Sequence, residues 1–391
     1  MVEERPGSEA VVGDELLARI GVPSELGEAN RVVGHLLSET IWPRIRAQEA
    51  GETASREVGI HDAGIGLADD DREVGPGDFA LSVTLTGPAS EGEVRRMLAP
   101  ALGAETAARI PLRFEVRESA ELGPAYADEY RRHIRPAPGG VSIGNKRKTK
   151  TQGTLGCFAR GRSGERQNMT LGLSCWHVIA EVGRAKPQKG DVVLQPSYPA
   201  IEDLGGDPEA EKYRLETLES WADPKPFPAE NTADAAVFQC LDPKAADWRI
   251  FDSQATWITY SKLVDQTVDV RPKLEVGKCG QTSGTTRGVV KRIALKRSIK
   301  REDDKGRVIY FDYVDVVEIG HKGDTTYPFA LPGDSGSICW KEKMNGSFIP
   351  LGMMFAEKVV SKTESYEFMN LIKHVKDVLD VELLYGKNPN S

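Results

Sequence analysis

The chain has 391 residues, 39% hydrophobic and 28% charged, with a formal net charge of −8. At about 150 residues per domain, this length suggests two or three domains with sizeable cores. No apolar run approaches the ~18 residues of a membrane helix, the acidic total argues against a dedicated nucleic-acid binder, and five cysteines without a C-x-x-C pair argue against a disulfide framework or a Cys-only zinc site.

Residues 1–23 read as a loose acidic leader without the basic and apolar regions of a secretory signal, so a cytoplasmic location is expected. Residues 24–50 carry one apolar stripe at helical spacing (Leu26, Val32, Val33, Leu36, Leu37, Ile41, Ile45), with Pro43 kinking or bounding it. Residues 67–77 are charged and Gly-rich, a loop. Phe79, Leu81, Val83 and Leu85 alternate as one face of a half-buried strand. Ser90-Glu-Gly-Glu93 is a capping box opening a helix to about 107, and 112–117 alternates again as a strand. Residues 1–135 therefore read as a small α+β accessory or regulatory domain.

Past Gly139 the texture changes. Short apolar runs at 154–159, 170–174, 191–195, 234–240, 267–271, 288–294, 308–318 and 347–355 are separated by Gly, Asp, Asn and Pro, the pattern of a barrel or sandwich. From Tyr366 the period reads as helical through Leu379, predicting a C-terminal helix over about 365–382. Charge divides along a similar line. All 23 lysines lie at or after Lys146. Residues 1–145 are net −10 and residues 146–391 net +2, as expected for two modules with different surfaces. The basic run 146–150 reads as a solvated loop, with a contact for an acidic partner as the alternative.

Three segments carry chemistry. In Leu331-Pro-Gly-Asp-Ser-Gly-Ser337 the glycines permit a sharp turn, and the 333–335 amides (Gly333, Asp334, Ser335) can face one oxyanion pocket. Ser335 needs a base to become a nucleophile. Of six histidines only His177, in Leu171-Gly-Leu-Ser-Cys-Trp-His177, lies in a buried-looking run; alone it would read as a satisfied core residue. Asp234, immediately before the apolar run 235–238, is placed to orient an imidazole, though alone it reads as a turn residue. The order His, Asp, Ser fits the two-barrel serine peptidases. The α/β-hydrolase order with a G-x-S-x-G elbow does not fit, because position 337 is Ser, and the subtilisin order lacks an acid strand start before His177.

On these residues the chain, from about Gly139 to Leu384, resembles the chymotrypsin/trypsin-like serine peptidases. Gly153-Thr-Leu-Gly156, the strand opening Val276-Gly-Lys-Cys-Gly280 and Leu351-Gly-Met-Met-Phe-Ala356 belong to the same resemblance. Arg135-Pro-Ala-Pro-Gly-Gly-Val-Ser-Ile-Gly144 and a preceding module are similar to an intracellular branch with plant narrow-leaf-type and bacterial members. The resemblance implies a mainly β fold of two six-stranded antiparallel barrels, about 150–250 and about 255–360, with a C-terminal helix, all within 136–391. It implies a serine endopeptidase with His177, Asp234 and Ser335 as triad, no metal or organic cofactor, and protein or peptide substrates. An activating partner or a homo-oligomer acting through the N-terminal domain is expected; nucleic acid and membrane are not. A catalytically weak or inactive protease-like scaffold that binds peptide is the alternative.

The sequence also departs from the family. No basic residue precedes an Ile/Val-Gly-Gly start, so Asp334, which in cleaved relatives pairs with a new N-terminus, must be satisfied otherwise. Cys175-Trp176 stands where the branch often has Asn-Asn. Phe329 occupies the expected pocket floor, which argues against strict Lys/Arg preference. Phe355, Ala356 and Glu357 are the remaining pocket candidates, with Glu357 equally readable as plain surface.

Overall fold

The computed structural model of the protein describes residues 12–43, 60–68, 78–85, 87–116, 128–181, 186–254, 257–302, 307–321, 328–359 and 365–388. They form two compact units. One comprises Met1–Arg117, Asp269–Lys273 and Lys291–Arg297; the other comprises Glu118–Val268, Leu274–Val290 and Ser298–Ser391.

The first unit is α+β. Helix α1 (Val12–Arg19) buries Leu16 and Leu17, so the expected loose leader is partly helical from residue 12. Helix α2 (Ser24–Leu36) continues as a π turn to Ile41 and buries Leu26, Val33 and Leu37, as its stripe predicts; residues 44–50 lie outside the described residues. Strand β1 (Ile60–Leu67) pairs antiparallel with β2 (Phe79–Leu85), which pairs parallel with β3 (Leu112–Val116); β2 is buried on both faces rather than half-buried as expected. The Ser90 N–H donates to Glu93 Oε2 at 2.7 Å, closing the start of α3 (Glu91–Leu102). Gly103 (φ 78°) breaks the expected single helix, and α4 (Ala104–Arg109) follows. Most of the predicted 67–77 loop lies outside the described residues.

Strand β1 is not evident in the sequence because it buries an acid. Asp62 is fully buried, with Arg292 Nη1 at 2.8 Å and Arg297 Nη1 at 2.5 Å. Burial alone would raise its pKa, but Arg292, His61 and Arg297 hold it well below the ordinary carboxylate range. Both arginines come from residues 291–297, which pair with β1 through Ala63–Lys296 and Ile65–Ile293.

The second unit holds two β-structures. Short strands β4 (Ala137–Gly139), β5 (Ser142–Asn145), β6 (Gly153–Thr154), β7 (Cys157–Gly161) and β8 (Thr170–Ser174) lead to helical turn α5 (Trp176–Ile179). Strand β9 (Val192–Leu194), helix α6 (Tyr198–Asp203), and strands β10 (Arg214–Trp221), β11 (Glu230–Asn231) and β12 (Ala236–Cys240) follow. Strands β13 (Ala246–Gln254) and β14 (Trp257–Lys262) form a hairpin that pairs with β4. Next come β15 (Glu275–Gly280), β16 (Gly284–Glu302), β17 (Val308–His321), β18 (Ile338–Glu342), β19 (Phe348–Val359), β20 (Ser365–Leu371), α7 (Ile372–Leu379) and β21 (Val381–Leu383).

The order β17-β20-β19-β18-β15-β16, with β16 paired back to β17, closes a six-stranded barrel. The other sheet, β21-β7-β8-β12-β10-β9-β5-β6, is curled and has eight strands, with β6 at one edge and the C-terminal β21 at the other. The expected mainly β, two-barrel architecture with a C-terminal helix is therefore present, except that the first barrel is a curled eight-stranded half-barrel rather than a closed six-stranded one. The helix is shorter than 365–382. Residues 365–371 are a strand whose Glu367, Phe368, Met369 and Asn370 are all buried, and a strand covered on both faces loses the alternation that marks it. The barrel-2 strands accordingly run from 275 to 371 rather than 255 to 360. Residues 267–271 form no strand; Pro272, which lacks a backbone N–H, follows them.

All five cysteines are free and buried. Among the described residues, no helix is long and apolar enough to cross a membrane.

Candidate active site

His177 and Asp234 are carried by two neighbouring strands of the curled sheet. Strands β8 and β12 pair from Ala236–Ser174 to Cys240–Thr170. Gly172 faces Phe238 in this ladder, and a Cβ there would lie 2.0 Å from the Phe238 ring, so glycine is required for the two strands to approach. After Ser174 the chain turns into α5, which presents His177; before Ala236, the loop presents Asp234.

The carboxylate grips the histidine twice. Asp234 Oδ1 accepts the His177 backbone N–H at 3.1 Å, and Oδ2 lies 2.9 Å from His177 Nδ1. The Asp234 amide donates to Asn370 Oδ1 at 2.9 Å, tying the loop to β20. Asp234 is fully buried and His177 keeps 16% of its side chain exposed. Burial would raise the Asp234 pKa, but His177 and Arg301 together bring it down to about 2. For His177, burial pulls the pKa below the ordinary value, Asp234 pushes it up, and Arg301 and Lys148 add to the lowering.

The basic run 146–150 is not simply solvated. Lys146 pairs with Glu209 at 2.8 Å and Arg147 with Asp191 at 2.9 Å. Lys148 donates to the His177 carbonyl at 2.5 Å and lies 3.8 Å from Glu181.

Ser335 sits in the turn before β18 and is 8% exposed. The turn is fastened on both sides. The Ser335 carbonyl accepts the Thr154 amide at 2.8 Å, the Gly336 amide donates to Met354 O at 2.8 Å, and the Met354 amide donates to Ser337 O at 2.9 Å. The Cys175 thiol donates to the same Met354 carbonyl at 3.0 Å. Gly153 marks where the two segments converge: a Cβ there would lie 2.4 Å from Val178 Cγ2 and 3.0 Å from Ser335 O. The turns bearing His177 and Ser335 thus pack against one glycine of β6. Gly333 (φ 103°) and Gly336 (φ 99°) take left-handed conformations that only glycine adopts cheaply. The Asp334 amide donates to Leu331 O, and the Ser337 amide to Asp334 O.

Asp334 turns inward beneath this turn and is 1% exposed. Its Oδ2 takes Lys278 Nζ at 2.9 Å and the Leu331 amide at 3.0 Å, and its Oδ1 takes the Thr282 amide at 2.9 Å and the Ser283 amide at 3.2 Å. Lys278, from β15, is itself fully buried and also donates to Ser283 Oγ and to Gly284 O. Sequence reading missed Lys278, Arg301, Lys148 and Asn370; the one available signal was Asp334's need for a partner.

Of the pocket candidates, Phe329 is fully buried with Lys278 Nζ 5.9 Å from its ring centroid, Phe355 is buried against Tyr313, and Ala356 is partly exposed. The Glu357 side chain lies outside the described residues; its backbone pairs with Glu367.

Cys175, His177 and Asp234 place three potential metal donors within 4.8 Å of one another. They do not suit a cation. Asp234 Oδ2 is already taken by the imidazole and by the Arg301 guanidinium at 2.9 Å, and the Cys175 thiol is turned to Met354 O.

The closed strand order of the second barrel, beside the curled first sheet, decides the architecture. The fold is trypsin-like. No protein-family model and no curated protein matches the chain in sequence. Among solved structures it is similar to Thermobifida fusca Protease A (12% identity, TM-score 0.38, covering 64% of this chain and 98% of that one). It is also similar to a glutamic acid-specific serine protease (13%, TM-score 0.39, 63% and 100%) and to a Nocardiopsis protease (13%, TM-score 0.39, 63% and 97%).

Proposed function

We propose that the protein is a serine endopeptidase acting on protein or peptide substrates. The observation that supports this reading is the double grip of Asp234 on His177, which holds both the ring and its backbone N–H. Asp234 on Nδ1 leaves Nε2 as the basic nitrogen. Ser335 Oγ attacks the scissile carbonyl carbon while its proton passes to Nε2. The oxyanion is received by the Gly333 and Ser335 amides, since the Asp334 amide is committed to Leu331 O. The proton then goes to the leaving nitrogen as the C–N bond breaks, leaving an acyl-serine. Water attacks the ester carbon and gives its proton to His177, which passes it to Ser335 Oγ as the ester C–O bond breaks and the carboxylic acid product leaves.

No cleavage of the chain is needed to set the turn, because Lys278 supplies the cation that Asp334 requires. Regulation by the N-terminal unit is part of the same proposal. Its support is that β16 contributes residues 291–297 to that unit and, four residues later, Arg301 to Asp234.

A fluorophosphonate probe is expected to label the folded protein at Ser335, and Ser335→Ala to abolish labelling, as read by peptide mass spectrometry. Folded wild-type protein that stays unlabelled across pH 5–9 overturns the endopeptidase reading in favour of a non-cutting scaffold.

A further inference from the structure

Asp234 carries a charged partner that the three-residue reaction scheme does not use. Arg301, near the end of β16, places Nη2 2.9 Å from Asp234 Oδ2, the same oxygen that holds His177 Nδ1. Its Nη1 lies 4.0 Å from Glu181 Oε2, just beyond α5. The arginine side chain is 18% exposed and the carboxylate it meets is fully buried. A carboxylate held only by its histidine can swivel about its own Cβ–Cγ bond. A planar guanidinium bonded to one oxygen and anchored by a second acid opposes that rotation.

We infer that Arg301 is a positioning residue of the His177–Asp234 pair, pinning Oδ2 so that the two carboxylate oxygens stay on the ring and backbone N–H groups of His177. Its catalytic meaning rests on the endopeptidase reading; its geometric meaning does not.

Such an arginine leaves a mark that packing alone would not. The charged groups acting on the imidazole are Asp234, Arg301 and Lys148, with Cys175 Sγ within 4.8 Å, while Glu181 and Tyr313 act on Arg301. Asp234 favours the protonated ring, whereas Arg301 and Lys148 oppose it. Glu181 lies between these two cations, 4.0 Å from one and 3.8 Å from the other. Arg301 therefore holds the carboxylate in place at the cost of some basicity in the histidine. Removing its charge should make His177 easier to protonate and less well oriented.

The test uses the full chain with Arg301→Gln and Arg301→Lys. Ring-nitrogen NMR of His177, assigned with His177→Gln and run in the Ser335→Ala background, gives the protonation midpoint and the Nδ1–H resonance. Fluorophosphonate labelling of Ser335 against pH gives a midpoint and a plateau rate. Arg301→Gln is expected to raise both midpoints by about one pH unit and to lower the plateau at least about tenfold. Arg301→Lys keeps the charge but loses the fork, so its midpoint should stay within about 0.3 units with a plateau down about threefold. A Gln variant with unchanged midpoint and unchanged Nδ1–H resonance overturns the inference. Should the Gln variant not fold, a Lys variant with a wild-type plateau and resonance overturns it. If wild type is never labelled, the endopeptidase reading fails and the NMR titration still decides the role of Arg301.

Discussion

Replacing Lys278 by methionine removes the only charge on one side of a buried ion pair while leaving a side chain of similar length against Phe329. Both partners are sealed, Lys278 at 0% and Asp334 at 1% exposure. Breaking such a pair from one side costs about 3–5 kcal/mol, because the remaining charge is stranded. Asp334 would keep the amides of Thr282, Ser283 and Leu331, which together soften the loss. The low end, about 3 kcal/mol, is therefore expected, roughly a hundredfold in an equilibrium constant. Asp334 lies between the two residues whose amides would receive the oxyanion, so a carboxylate that turns outward to find water carries both amides with it. Urea unfolding should show a loss of about 3 kcal/mol, and probe labelling at Ser335 should slow by at least about tenfold. The double variant Lys278→Met/Asp334→Asn, with the stranded charge neutralised, should regain most of the stability but not the labelling. A double-mutant cycle then gives a coupling of at least about 2 kcal/mol. A single Lys278→Met variant within about 0.5 kcal/mol of wild type, labelled within twofold of its rate, would refute the claim that this pair sets the turn.

Two further outcomes follow from buried carboxylates. Asp62→Asn leaves Arg292 and Arg297 facing each other with the shared charge gone, and should cost about 3–5 kcal/mol in denaturant unfolding; a loss below about 1 kcal/mol would mean that water already reaches these arginines. Asp234 ionises at about 2 in the folded chain against 3.8 when unperturbed. A folded value below the unfolded one contributes stability that is complete above the unfolded pKa and lost as pH falls from roughly 4 through 2, amounting to about 2 kcal/mol. Asp234→Asn should flatten that stretch of the stability curve, and an unchanged slope would show that other carboxylates govern acid unfolding.

What could be read from the sequence was what is local. The alternation of Phe79, Leu81, Val83 and Leu85 encodes β2, and Ser90 with Glu93 encodes the start of α3, because each signal lies within a few residues of the structure it specifies. The runs around His177 and Asp234 mark strand ends for the same reason. The hidden features are charges whose partners are far along the chain. Lys278 and Asp334 are 56 residues apart, Arg301 and Asp234 67, and Arg297 and Asp62 235. A lysine or arginine in isolation reads as a solvated surface residue, and only the fold shows that it is buried against an acid. Strand β1 was missed because Asp62 makes it look like a loop, and β20 because its Phe368 and Leu371 fall at helical spacing from Ile372 and Val375 of α7.

These hidden charges also limit where control of the proposed reaction can act. In relatives that are switched on by cleavage, the oxyanion turn waits for a new ammonium group to reach its aspartate. Here the cation is a side chain of β15, two residues before the end of that strand, so on the proposed function Asp334 already has its partner within the folded chain. Cleavage has nothing left to supply at Asp334. The other buried carboxylate of the site, Asp234, is held by Arg301, near the end of a strand of which residues 291–297 belong to the first unit. A shift in that strand's register by one residue would turn Arg301 to the opposite face and release Asp234 Oδ2, since side chains alternate with a period of two. On the proposed function, therefore, regulation is better sought in what holds β16 in register than in any cut at the start of the first barrel.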